Sequence, residues 1–164
     1  NTKYYKMTLR KNIDKILGFL LIVLMIVLVV DVVWQVLARY VVKSPSSFTD
    51  ELARFLLIWV GLFGSAYAVG KKKHLAIDIL PSKLKGIKKR NLLIFINILI
   101  ILFSVSILVA GGIRLVYITL TLEQISPALR IPLGYIYLAV PLSGLFILYY
   151  CVEEILELLK TTTD

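Results

Sequence analysis

Four long apolar stretches, with positive charge gathered on one side of them, constrain this chain more than any other feature. The stretches run Ile16–Ala38, Phe55–Val69, Leu92–Ile113 and Ile131–Val152, and all but Asp31 within them is free of formal charge. A hydrocarbon core about 30 Å thick takes roughly 20 apolar helical residues to cross, so the pattern predicts an all-α membrane protein with four spans. Of the 19 Lys and Arg, five precede the first stretch and eight fall within Lys71–Arg90, between the second and third. Basic residues near span ends stay cytoplasmic, which predicts both termini and the middle connection inside. Predicted spans at about 14–40, 49–70, 90–122 and 132–158 fill a single domain of residues 1–164 and leave little chain for a soluble one.

The formal charge of +9 suggests nucleic acid in a soluble protein, but topology accounts for it first. Lys71, Lys72, Lys73, Lys83, Lys85, Lys88, Lys89 and Arg90 read as contacts to anionic lipid headgroups, in an amphipathic segment along the cytoplasmic interface. No nucleic-acid partner is expected. The lone Cys151 cannot form an intrachain disulfide, and the lone His74 cannot supply paired haem ligands. HExxH, GxSxG and phosphate-loop patterns are missing, so neither enzyme nor cofactor is expected. The first apolar run is too long for a signal peptide and lacks a small-residue cleavage site, which makes it a retained anchor.

Lys43-Ser44-Pro45-Ser46-Ser47 breaks the first helix, and Ser47 with Asp50 reads as cap and first-turn acid of the second. His74 and Asp78 stand four residues apart, a local contact in a polar cytoplasmic stretch. Pro141 is expected to kink the fourth helix. Internal repeats, the mark of many self-sufficient transporters, are not visible.

An acid within a span is costly, so Asp31 demands a partner. It lies about 22 Å along the helix from Ile16 and shares one face with Gln35 and Arg39. The depth of Arg54 predicts an Asp31–Arg54 ion pair, and Arg39–Glu51 a second nearer the surface. These pairs would lock helices one and two together; pairing with a second subunit, or ion coupling through Asp31, are the alternatives. Trp34 and Trp59 read as packing or boundary residues. Gly61, Gly64, Gly111 and Gly112 would let helices or a partner approach closely.

Four ordered elements resemble the small, DctQ-like membrane subunit of tripartite ATP-independent periplasmic (TRAP) transporters. They are Trp34-Gln-Val-Leu-Ala-Arg39-Tyr40, then Ser47-Phe-Thr-Asp50-Glu51-Leu-Ala-Arg54, then Trp59 to Gly64 followed by His74-Leu-Ala-Ile-Asp78, and finally Gln124-Ile-Ser-Pro127-Ala-Leu-Arg130-Ile-Pro132. The resemblance spans about residues 13–155. It implies a multi-pass subunit of the bacterial inner membrane without catalytic or cofactor sites of its own. Its partner would be a large membrane subunit that binds sodium and substrate and moves as an elevator. A periplasmic binding protein would deliver an organic acid, sialic acid in preference to a C4-dicarboxylate. Lys43, Gln124, Ser126 and Arg130, with Arg39, are the positions that could meet that binding protein. The rival reading is an autonomous dimeric four-helix transporter with Asp31 as coupling acid.

Overall fold

The computed structural model describes residues 2–44, 46–71 and 86–160, with side chains from Arg10 onward. Helix α1 runs Thr2–Tyr40 and α2 Ser47–Gly70. The third span is α3 (Ile87–Phe103), a π-helical stretch (Ser104–Gly111) and α4 (Gly112–Thr121) in one continuous rod. The fourth is α5 (Leu133–Tyr137) and α6 (Ala139–Lys160). Four helices are thus long and apolar enough to cross a membrane, as the charge pattern predicts.

Local chemistry explains most helix boundaries. Ser46, one residue before the expected Ser47, is the cap of α2, with extended backbone; Asp50 does fall in the first turn. The Thr49 hydroxyl donates to Ser46 O at 3.1 Å and closes that turn. The 24 residues of α2 span about 36 Å, so the helix crosses a bilayer only by carrying Glu51 and Arg54 within its outer turns. At Gly86, before α3, φ is +62°, a conformation that costs glycine nothing. The break between α5 and α6 falls at Leu138, three residues before Pro141. A proline ring clashes with the carbonyl four residues back, here Tyr137, where α5 ends.

The rods pack in the order first, second, fourth and third span. Helix α1 lies on α2, α2 on α6, and α6 on α3 and the π stretch. The fourth span is therefore the centre: 44% of its most apolar stretch is buried, against 11% for the first and third. Phe63, Ala66 and Val69 of α2 meet Ala139, Ile147, Tyr150 and Cys151 of α6, with Leu17 of α1 closing the cluster. Phe63 is held between Trp59 (centroids 5.4 Å apart) and Phe146 (5.9 Å).

The third and fourth spans touch through missing side chains. A Cβ on Gly112 would lie 2.9 Å from Pro141 Cδ, and one on Gly144 would lie 2.8 Å from Leu108 Cβ. Beside this contact the buried Ser104 hydroxyl donates to Gly144 O at 2.9 Å. The π stretch spans these contacts, from Ser104 to Gly111 next to Gly112. Nothing in the sequence pattern announces it.

Candidate functional site

Two polar clusters tie the bundle, one at each end. At the end holding the α1–α2 connection, Asp31 is buried, and its neighbour is Gln35, whose Nε2 lies 3.4 Å from Asp31 Oδ2. The same nitrogen donates to Thr49 O at 2.6 Å, joining α1 to the first turn of α2. Spacing i, i+4 on one helix face brings Asp31 and Gln35 together as expected. The predicted ion pairs do not form. Arg54 is exposed, and its Nε donates to Asp50 O at 3.3 Å, one turn back on its own helix, instead of reaching Asp31. A hydrogen-bonded amide replaces the guanidinium because Gln35 lies on the buried seam and Arg54 does not.

Glu51 is the second correction. Its partner is not Arg39 but the loop between the third and fourth spans: Oε2 accepts the backbone N–H of Ala128 at 2.8 Å and of Leu129 at 2.9 Å. Ser126 lies in the same turn as these two donors. Ser126 also accepts from Leu129 N at 3.3 Å, and its backbone N–H donates to Ile131 O at 3.0 Å. It is fully buried, which removes it from the positions a binding protein could touch. Two successive backbone donors compete better than a mobile guanidinium for one carboxylate, since they are already positioned by the turn. Of the remaining surface candidates, Lys43, Gln124 and Arg130 are exposed, and Lys43 and Arg130 hold positive φ of 54° and 53°. Such backbone at non-glycine residues marks tightly specified turns.

At the opposite end Arg10 reaches three acceptors: Glu153 at 3.4 Å, Glu157 at 3.6 Å and Gly70 O at 2.9 Å. Asp14 accepts from Lys71 Nζ and from the Tyr150 hydroxyl, each at 2.7 Å. Lys71 Nζ also sits 5.3 Å from the centre of the Tyr67 ring. The carboxylate of Asp14 beside it raises the Lys71 ammonium above its ordinary pKa. Lys71 thus bridges α1 and the end of α2, while its side chain stays 37% exposed. This cluster was missed, yet a signal existed: a basic first helix and an acidic last one, Glu153-Glu154…Glu157, at the same predicted membrane face.

The other expectations divide. Trp59 packs on Phe63, while Trp34 stands 55% exposed on the outside of α1. Gly112 admits a close approach within the chain, as does Gly70, where an added Cβ would meet the Tyr150 ring at 2.5 Å. Gly61 and Gly64 have nothing within 4 Å, and Gly111 only its own helix. Those three pack against no other part of the described chain. Lys88 and Lys89 are exposed at the start of α3, and Arg90 is partly covered. His74, Asp78, Lys72, Lys73, Lys83 and Lys85 lie outside the described residues.

Comparison with known proteins agrees with this architecture. The chain is 28% identical over 152 residues to the sialic acid TRAP transporter small permease protein SiaQ of Vibrio cholerae, covering 93% of this chain and 86% of that one. It is 26% identical over 158 residues to a TRAP transporter small permease protein, named as putative, of Haemophilus influenzae, covering 96% and 94%. It also matches the isethionate TRAP transporter permease protein DctMQ of Oleidesulfovibrio alaskensis at 25% identity, covering 73% of this chain but 20% of that longer protein. The family model described as tripartite ATP-independent periplasmic transporters, DctQ component, matches residues 26–161, which takes in the end of α1, the other three spans and the Asp31 cluster, but not Arg10 and Asp14. The chain is a multi-pass membrane protein and belongs to the DctQ component family of TRAP transporters.

Proposed function

We propose that this small permease subunit is the fixed, non-catalytic scaffold of a TRAP transporter in the bacterial inner membrane. Its larger permease partner binds sodium and an organic acid and moves, while this chain anchors the immobile part. The observation that carries the reading is the double cross-tie. Glu51 fastens the far loop to α2, and Arg10 with Asp14 fastens α1 to α2 and α6 at the other end. A body tied at both ends is suited to bearing load rather than to rocking open. Its first and third spans leave most of their apolar surface uncovered, which suits a subunit embedded between lipid and partner.

Support for a large partner comes from the match to a fifth of the longer DctMQ permease, a chain with room for much more than this unit. Both termini and the 72–85 connection then face the cytoplasm, with the Arg10 cluster, by the distribution of basic residues. The Glu51-braced loop faces the periplasm, where Lys43, Gln124 and Arg130 offer a polar edge to the substrate-binding protein. Sialic acid is the favoured substrate because the SiaQ match covers most of both chains.

The test is purification of the tagged chain from its native membrane in mild detergent, followed by reconstitution. The reading expects a stoichiometric large multi-span partner, and sodium-driven uptake only when both subunits and a binding protein are present. Uptake by this chain alone would sink it and revive Asp31 as a coupling acid.

A further inference from the structure

A cavity of about 240 Å³ opens between the end of α1 and the start of α2, lined by Gln35, Arg39, Ser46, Ser47, Thr49 and Asp50. At about 30 Å³ per water it would hold roughly eight, far more than one bridging molecule. The Gln35 amide and Thr49 carbonyl within it are spent on each other at 2.6 Å, but its charged groups are not. Arg39 projects from α1 and Asp50 from α2, and neither side chain has an ion-pair partner among the described residues. Arg54 takes the backbone oxygen of Asp50 and leaves its carboxylate open. Apolar side chains stand exposed on the same two helix ends: Val36 at 52%, Tyr40 at 74% and Phe48 at 50%.

A pocket with one charge of each sign, at the end of a membrane span and beside uncovered apolar surface, matches a zwitterion that carries its own hydrocarbon. We propose that it binds the phosphoethanolamine headgroup of a phospholipid. The phosphate lies on the Arg39 guanidinium and the Ser47 hydroxyl, and the primary ammonium donates to Asp50. Both are charge-assisted hydrogen bonds, stronger and shorter than neutral ones. A trimethylammonium group has no N–H to give Asp50. A glycerol headgroup brings no cation and would leave the Asp50 carboxylate unmatched. The acyl chains then run down the apolar surface of α1. This inference requires only that the chain spans a membrane; it does not depend on the scaffold reading.

The experiment uses the full chain, purified in mild detergent and stripped of lipid. Native mass spectrometry counts lipid retained as phosphatidylethanolamine or phosphatidylcholine of matched chains is added. Phosphatidylethanolamine should bind at least about tenfold more tightly, the effect expected of one charge-assisted hydrogen bond. Asp50→Asn should erase that preference, and Arg39→Gln should weaken both lipids; both residues are exposed, so folding is not at stake. Equal retention of the two lipids, or a preference unchanged in Asp50→Asn, would overturn the assignment. So would displacement of the lipid by an equal concentration of free phosphoethanolamine, which would mark the site as one for a soluble ligand.

Discussion

Replacing Gly112 and Gly61 separately by alanine measures how the third and fourth spans are joined. In Gly112→Ala the new Cβ would lie 2.9 Å from Pro141 Cδ, 3.0 Å from Pro141 N and 3.0 Å from Val140 Cγ1. Two of these neighbours belong to a proline and its backbone and cannot swing aside, so the helices must separate. Overpacking of this kind costs about 1–3 kcal/mol, while alanine returns about 0.5–1 kcal/mol of helix propensity. Gly61→Ala gains the same propensity and meets nothing within 4 Å. Propensity cancels in the comparison, which leaves Gly112→Ala less stable than Gly61→Ala by about 1–3 kcal/mol. In a thermal melt followed by fluorescence-detected size exclusion, that is a gap of roughly 2–12 °C for a chain of this size. Equal melting temperatures for the two variants would refute the close approach of Gly112 to Pro141, and with it the account of the contact between the two spans.

Four further outcomes follow from the same geometry. Glu51→Gln leaves an amide whose oxygen accepts more weakly from Ala128 and Leu129, so hydrogen exchange at those two amides should rise while exchange in α6 stays unchanged. Tyr150→Phe keeps the ring against Gly70 but loses the bond to Asp14; it should cost about 0.5–1.5 kcal/mol in the same melt, and no loss would remove Asp14 from the tie. Asp31→Asn keeps a hydrogen-bonding partner for Gln35, so uptake should remain measurable with the other subunits present; its complete loss in an assembled complex would contradict a purely scaffolding role. Gly61→Leu fills open space on α2 and should leave the isolated chain's melting temperature no lower than before, while lowering the amount of large subunit that co-purifies.

The spans were legible because membrane crossing imposes its rule on every residue of a segment: length and absence of charge suffice, with no knowledge of neighbours. Pairing was not. Arg54 sits at the depth expected for Asp31, but depth is one coordinate and rotation about the helix axis is another. The rotation that buries Glu51 and Phe63 against the rest of the bundle leaves Arg54 exposed. Glu51 was misassigned for a different reason. Its partners are backbone amides of Ala128 and Leu129, and sequence reading searches for side-chain charges while every residue but proline has an N–H to offer. The π stretch was invisible because no residue pattern marks it, and the contact it makes, Leu108 against Gly144, joins residues 36 apart in the chain.

Where the small residues fall separates the chain's own packing from what it leaves open. Glycine in a helix interior costs about 0.5–1 kcal/mol relative to alanine, so a helix that keeps one gains something by it. Gly70, Gly112, Gly134 and Gly144 each have an internal reason, since a Cβ at any of them would meet another element at 2.9 Å or less. Gly61 and Gly64 have none inside the described chain, and both lie on α2, the helix that α1 and α6 already flank. Their cost is recovered only if something beyond the described residues comes close along the remaining side of α2. The larger permease is the partner the scaffold reading supplies, which is why Gly61→Leu should weaken assembly without destabilising the subunit alone.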